Sequence, residues 1–442
     1  MSPRGGKDYG GILNDLATGR WHHPVTGEKV IIPIPEIAIR DTLDGAEPEL
    51  LASAGFSGRR LAVVSDRFTH DALAGRVARN LEAAGFTIDD VVWPTPHCSD
   101  AGAEELRALT RNAEAVVAVG SGTINDSVKY ATFQDGKPFA TFPTSPMTAH
   151  FTGTASVSFG GLKKSLTTHD PKGVFVDLKV LRGCPKRLIW SAYADVVCRT
   201  TAQVDWLLSH RLLGTPYRDT AYHLLAIDEA RLLDGADAVA AADFEAIAMV
   251  TRMNGLMGLG TSFGRTTHCG SMAEHMLSHY IDMFAGEAHP GTHHGEQVGV
   301  ATLVMSRLHH HVLDRGEPPR LKPTVVDQGA IEARFGQALA SACLEQFEVK
   351  RFDERDIECL NRKLADIWPD LTEELRPLML PTEKIENALR RVSAPVSAAD
   401  LGVPISFWQD AIRYARFTRD RYSMLDIVGD AGELDAFART TG

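Results

Sequence analysis

The chain has 442 residues, a formal net charge of −11, 44% hydrophobic and 23% charged residues. That balance describes a soluble globular protein long enough for two cores, and it excludes a disordered, collagen-like or coiled-coil chain. The acidic surplus excludes a protein whose main work is neutralising nucleic-acid phosphates, so any anionic ligand must be met by a local cluster of donors.

The six cysteines, Cys98, Cys184, Cys198, Cys269, Cys343 and Cys359, form no Cys-x-x-Cys pair and read as reduced thiols. A bound metal would therefore draw on the 17 histidines and on carboxylates. The amino-terminal stretch has no apolar run of the kind a secretory signal carries, and no later run reaches the roughly 18 residues of a membrane helix. The sequence thus reads as cytoplasmic, with no membrane and no nucleic-acid partner; a homo-oligomer is left open.

In chain order, Arg60 to Asp66 reads as a buried strand, Thr69 to Gly85 as an amphipathic helix and Phe86 to Trp93 as a second strand. Glu104 to Asn112 reads as helix, and Ala115 to Gly120 as a strand running into a glycine turn. Phe139 to Phe142 and Val174 to Leu178 complete the strand signals. Strands alternating with helices predict a Rossmann-like α/β domain with a parallel sheet over residues 1–184. From Pro185 the pattern turns to long Ala- and Leu-rich helices, predicting an all-α domain over residues 185–442. His309, His310 and His311 are consecutive on a helix, point in three directions, and read as surface residues.

The turn Gly120-Ser121-Gly122-Thr123-Ile124-Asn125-Asp126 follows a strand and opens a helix. Its glycines allow a tight approach to an anion, Thr123 is placed as N-cap, Asp126 as the residue closing the cap, and the helix end would present free N–H groups. That outlines a pyrophosphate site, and it is also the outline of an ordinary strand-to-helix connection. Asp66, at the end of an earlier strand, stands where ribose hydroxyls are bound or where a helix is capped.

In the helical half, His275 and His279 are four apart and leave one helix face, and His293 and His294 follow. Asp195 lies in an apolar helical run where an unpaired carboxylate is expensive. One Asp and two His around an open position suit a catalytic divalent ion, though a solvated His pair shows the same spacing. Lys163 and Lys164, with His169 and Lys172, could hold a substrate phosphate or carboxylate, or form a solvated hairpin.

Several stretches together resemble the sn-glycerol-1-phosphate dehydrogenases. They are VVSD at 63–66, GSGTIND at 120–126, FPTS at 142–145, SAYADV at 191–196, DWLLSHRL at 205–212, AEHMLSHYIDM at 273–283, HGEQVG at 294–299 and RDRYSMLD at 419–426. That family belongs with glycerol dehydrogenase, the iron-containing alcohol dehydrogenases and dehydroquinate synthase. The resemblance implies a dehydroquinate synthase-like fold with Asp195, His275 and His294 on a divalent metal, zinc first and iron or nickel next. It implies His279 as a proton relay in the substrate pocket, and Gly120, Ser121, Gly122 and Asp126 on the pyrophosphate of NAD or NADP, with Asp66 near the adenosine ribose. Thr144, Ser145 and Thr148 would lie near the nicotinamide and substrate.

Two stretches depart from the family. Ala149 stands where relatives carry an acidic residue, and His268-Cys269-Gly270-Ser271-Met272-Ala273 replaces the usual approach to the metal helix. Together they imply a re-cut pocket in which His150 and His268 join Lys163 and Lys164 as candidate substrate residues. The expected activity is an NAD(P)- and metal-dependent dehydrogenase of a small anionic polyol or ketone, glycerol 1-phosphate and dihydroxyacetone phosphate first. The alternatives are a dehydroquinate synthase-like cyclase or lyase and a non-catalytic dinucleotide-binding regulator.

Overall fold

Apolar residues of the strands alternate between two helix-covered faces of one sheet, so the strand runs read as continuously hydrophobic. In the computed structural model, which describes residues 7–264 and 266–441, the strands are β1 (Glu36–Arg40), β2 (Arg60–Ser65), β3 (Thr87–Val92), β4 (Ala115–Gly120), β5 (Phe139–Pro143), β6 (Thr154–Phe159), β7 (Leu162–Thr167) and β8 (Gly173–Asp177). Leu61, Val63, Val117, Val119 and Phe142 pack on one face with Leu73, Val77 and Leu81 of a covering helix. Ala62, Val64, Val116, Ala118 and Phe139 pack on the other with Leu106, Ile124 and Val128.

The six-stranded sheet has the order β1-β8-β5-β4-β2-β3, and its neighbouring strands pair in parallel. The chain leaves β2 toward one edge to make β3, then returns to the other side of β2 to make β4 and β5. The order therefore reverses between β2 and β4. In open parallel sheets a ligand is received at the carboxyl ends of the strands flanking such a reversal, and here those ends carry Asp66 and the Gly120 turn. β6 and β7 form a separate antiparallel hairpin in which Ser158 pairs with Lys163 and Val157 with Lys164.

The parallel sheet and the helical carboxyl-terminal region follow the expected class, whereas the compact units do not follow a single cut near residue 184. One unit comprises the residues up to Ala192 together with Asp219–Thr266; the other comprises Tyr193–Arg218 and the residues from Thr267 on. The helix Phe244–Gly264 belongs to the first unit. Gly258 lets it lie on the turn Thr148–Phe151, because a Cβ there would stand 2.8 Å from the Thr148 carbonyl oxygen. In the second unit the helices Arg199–Leu213, Ala273–Phe284 and His294–Leu313 pack together, with buried residues on nearly all sides. His309 is one of these buried residues: its Nε2 bonds Asp205 Oδ1 at 2.9 Å, so it is a core residue and not a surface one as its neighbours suggested.

The helix Gly122–Asp135 is tied to the chain that follows β5 by one fully buried cation. Lys129 Nζ donates to the Ala149 and Thr154 carbonyl oxygens at 2.8 and 2.7 Å and to Asp126 Oδ1 at 3.1 Å. Replacing Lys129 by Met removes the cation paired with Asp126 and one donor from each carbonyl, Ala149 keeping only Asn125 Nδ2 at 2.8 Å, and should cost roughly 3–5 kcal/mol of stability in a denaturant titration. A loss below about 1 kcal/mol would show that the clasp is dispensable.

Candidate active site

Asp195, His275 and His294 all fall in the second unit. Asp195 Oδ1 lies 3.6 Å from His275 Nε2 and 4.0 Å from His294 Nε2, and the three donor atoms lie within 4.8 Å of one another. Those separations are too long for hydrogen bonds. They are close to the roughly 3.3 Å expected between neighbouring ligand atoms of a tetrahedral ion with bonds near 2.0–2.1 Å.

Hydrogen bonds on the far side of each ring decide what it presents. Glu274 Oε1 lies 3.0 Å from His275 Nδ1, and because a carboxylate only accepts, Nδ1 holds the proton and Nε2 the lone pair. The same oxygen accepts the Met272 N–H at 2.6 Å, and Thr201 Oγ1 donates to Oε2 at 3.4 Å. Burial pushes the Glu274 carboxyl up, but the hydrogen bond from His275 and those of two backbone N–H groups outweigh it and hold it below the usual range.

His294 is set by a longer relay. Gln297 Nε2 donates to Asp282 Oδ1 at 3.2 Å and to Thr292 Oγ1 at 3.1 Å, which turns Gln297 Oε1 toward Ser278. The Ser278 hydroxyl gives its one proton to that oxygen at 2.7 Å, so Ser278 Oγ accepts from His294 Nδ1 at 3.1 Å. His294 Nε2 then also carries a lone pair. Two lone pairs and a carboxylate turned on one point are the donor set of a divalent ion, each held by the outer partners that metal-binding imidazoles require.

Two other clusters fail the same test. Cys198, Glu274 and His275 lie close together, but His275 Nδ1 is protonated there and burial raises the Cys198 thiol well above its ordinary range. In the first unit His23, Asp219 and His223 converge, yet His23 Nδ1 accepts the Val25 and Thr26 N–H groups, both at 3.2 Å. Its Nε2 therefore carries the proton and donates it to Asp219 Oδ1 at 3.2 Å.

His279 is 5% exposed, with its ring centre 5.9 Å from that of His294 and 6.3 Å from that of His275. Arg419 Nη2 donates to its Nδ1 at 2.8 Å. His268 lies in the same unit with its ring 5.8 Å from that of Trp206, and burial together with Arg421 and Arg419 pushes it down to about 3.

In the first unit the glycine turn differs from its expected capping. The helix begins at Gly122 with Ser121 as N-cap, and Ser121 makes no side-chain cap; its Oγ bonds Ser145 Oγ at 2.7 Å. Thr123 is inside the helix, and Asp126 turns away to accept from Lys129 and, at 3.1 Å, from the Ser156 N–H. The first turn thus keeps its N–H groups free of a side-chain cap, as an anion-binding helix end does. Gly120 is required because a Cβ would stand 2.7 Å from Ile124 Cβ, while at Gly122 the nearest atom would be Ala149 Cβ at 4.0 Å. Thr144 N–H donates to the Gly120 carbonyl at 3.0 Å, and Thr148 Oγ1 to Asn254 Oδ1 at 2.7 Å, so the Thr144, Ser145 and Thr148 loop is pinned beside the turn.

Asp66 takes its capping role: Oδ1 accepts the Phe68 and Thr69 N–H groups, both at 2.8 Å, at the end of β2. Lys163 and Lys164 are on the β6–β7 hairpin, Lys164 exposed. His150 differs most from its expected pocket position. It is 1% exposed, its Nδ1 lies 3.2 Å from Thr141 Oγ1, and burial followed by the charge of Lys129 pushes it down to about 3. It is a neutral core residue shut off from water.

The sequence reading gave no role to Glu274, Ser278, Gln297 or Arg419. Glu274 and Ser278 flank the histidine pair, and Gln297 lies one helical turn after His294, so their positions carried a signal. Arg419 opens the RDRYSMLD stretch that carries the family resemblance, but it lies 140 residues from His279 and nothing local linked the two.

A doubly wound sheet with an open helix end at its reversal, and an Asp-His-His donor set in a helical unit, are the features of a dinucleotide- and metal-dependent enzyme. Comparison with known proteins makes this specific. The family model for iron-containing alcohol dehydrogenase matches residues 38–185. A glycerol-1-phosphate dehydrogenase (NAD(P)+) of Bacillus licheniformis is 27% identical over 96% of this chain and 94% of its own. One of Pyrococcus horikoshii is 30% identical over 54% of this chain and 68% of its own. The solved structure of an NADH-dependent butanol dehydrogenase A from Thermotoga maritima superposes with a TM-score of 0.62 at 15% identity, covering 95% of this chain and 100% of that one. The chain belongs to the glycerol-1-phosphate dehydrogenase family within the iron-containing alcohol dehydrogenases.

If the outer hydrogen bonds set the ligands, Ser278→Ala should weaken metal binding about 10- to 100-fold in a chelator competition, while His275→Ala should abolish stoichiometric metal in the folded protein. Unchanged metal content in a His275→Ala, His294→Ala double variant would refute the assignment.

Proposed function

We propose that this oxidoreductase interconverts a small phosphorylated polyol and its ketone with NAD or NADP, glycerol 1-phosphate and dihydroxyacetone phosphate being the first pair to test. The observation that carries the reading is the pair of imidazole lone pairs on His275 and His294 turned toward Asp195. The family relation gives the substrate class, since the relatives are named for glycerol 1-phosphate.

In this reading Asp195, His275 and His294 hold one divalent ion. Zinc suits two imidazoles and a carboxylate with an open position, and iron or nickel suits the same set. When bound, the ion polarises the substrate oxygen and the nicotinamide exchanges hydride with the adjacent carbon. The chain's own residues bind and orient: the N–H groups of the Gly120-Ser121-Gly122 turn take the pyrophosphate, with Asp126 bracing the helix behind them. Asp66, beside the reversal of the sheet, serves the ribose, and its charge favours NAD over a 2′-phosphate. Thr144, Ser145 and Thr148 serve the nicotinamide in the first unit, and His279 and His268 serve the substrate in the second. Lys163 and Lys164 supply positive charge for its phosphate. A cytoplasmic setting belongs to the same reading, supported by six cysteines that are all free thiols; among the described residues no helix is long and apolar enough to cross a membrane.

The test is oxidation of NADH and NADPH by the purified full chain supplied in turn with zinc, iron and nickel. Dihydroxyacetone phosphate should be reduced with a kcat/KM at least tenfold above that for unphosphorylated dihydroxyacetone. Loss of the metal to a chelator should abolish the rate and its return restore it. No oxidation with any metal across a panel of small phosphorylated and plain ketones would defeat the proposal.

A further inference from the structure

The histidine pair at 275 and 279 is chemically split by the partners its two rings keep. We infer that Arg419 is a positioning residue that fixes His279 with its proton on Nε2, so that this ring presents an oriented hydrogen-bond donor to the substrate oxygen. The inference rests on the proposed place of His279 in the substrate pocket.

A guanidinium has five donors and no acceptor. With Arg419 Nη2 at 2.8 Å, His279 Nδ1 can only accept, so its proton is on Nε2. His275 and His294 are the reverse, each with the proton on Nδ1 and the lone pair on Nε2. A ring protonated at Nε2 cannot ligate through that atom, which explains why one member of an i, i+4 pair joins Asp195 and the other does not. It also changes the role read from sequence: with Nδ1 held by a cation, the ring serves the oxygen as a fixed donor rather than as a relay passing protons from one nitrogen to the other. Donors set in advance where negative charge develops are an effective form of catalysis.

The chain around Arg419 is built to hold it. Lys350 Nζ donates to the carbonyl oxygens of Arg416 and Arg421, at 2.7 and 3.0 Å, gripping the segment on both sides of Arg419. Lys350 and Arg416 pair with Asp426, each at 3.2 Å, and Arg416 pairs with Asp430 at 2.6 Å. Arg421 donates to the Ser271 carbonyl and to Thr267 Oγ1, ahead of the helix that bears His279. Lys350, Arg416, Arg419 and Arg421 are all at most 7% exposed. Burying four cations is costly and is not in itself a source of stability, so the arrangement is better explained by the precision it gives. Burial, and next the like charge of Arg421, bring Arg419 down to about 9, which leaves it charged at neutral pH.

The test is long-range proton–nitrogen NMR of the full chain labelled with 15N-histidine, His279 being assigned by its absence from His279→Gln. The expected spectrum shows Nδ1 of His279 as an acceptor and Nε2 as protonated. Arg419→Met should scramble that pattern and lower kcat about tenfold or more, with KM for NADH within about twofold and metal content unchanged. Arg419→Lys, which keeps a donor, should restore the pattern and most of the rate. A wild-type His279 protonated at Nδ1 overturns the inference, as does an Arg419→Met variant with unaltered His279 signals, including one that only raises KM for the phosphorylated ketone and so marks Arg419 as a substrate ligand. Should Arg419→Met not fold, the wild-type and Arg419→Lys spectra decide. These spectra are read without turnover, so failure of the proposed substrate and failure of this inference are separate results.

Discussion

The second unit depends on a single chemical constraint: an imidazole has two nitrogens, and whatever occupies one determines what the other offers. Glu274 occupies His275 Nδ1, Ser278 occupies His294 Nδ1, and Arg419 occupies His279 Nδ1. A carboxylate and a committed hydroxyl leave lone pairs at Nε2, while a guanidinium leaves a proton there. Three histidines of one type thus present two different faces at Nε2 without any difference in their own chemistry. The outer partners are in turn held by Met272, Thr201, Gln297, Asp282 and the Lys350 cluster, so the site extends well beyond the atoms that would touch an ion.

The first unit follows a topological constraint instead. Because the strand order reverses between β2 and β4, the ends of these strands open side by side, and helices cover both faces elsewhere. At that reversal the chain spends no side chain on capping the Gly122–Asp135 helix. Ser121 is tied to Ser145 and Asp126 to Lys129 and Ser156, so residues that could have closed the helix end brace the loops around it. Helix ends in water are ordinarily capped, and an end left open beside a glycine turn is suited to an anion.

Much of this was legible from the sequence wherever it was local. β4 occupies the predicted Ala115–Gly120, and β2 and β5 lie within a residue of their predicted ends, because buried parallel strands are runs of Val, Ala and Phe that alternate only between two covered faces. β1 was missed since Glu36–Arg40 is short and mixes charge with its apolar residues, and the β6–β7 hairpin, whose strands are mostly polar, was legible only as one of two readings of the segment around Lys163 and Lys164. In the site, the carboxylate of Asp195 in an apolar run and the helical spacing of His275 and His279 were visible in the residues themselves, whereas the set Asp195, His275 and His294 came from the family resemblance. The tautomers were not visible, because they depend on tertiary partners. His150 and His309 show the converse: a histidine letter carries no sign of burial, and each is neutralised or paired inside a core that forms only on folding.

On this wiring, two oppositely set kinds of histidine share one metal centre. A crystal structure of the metal-loaded protein, phased by anomalous scattering at the edge of the bound metal, tests it most directly. The expected map shows one ion bonded to His275 Nε2, His294 Nε2 and the Asp195 carboxylate at about 2.0–2.2 Å, with His279 outside its coordination and still against Arg419. An ion bonded to His279, or to the Nδ1 side of His275 beside Glu274 and Cys198, would contradict it.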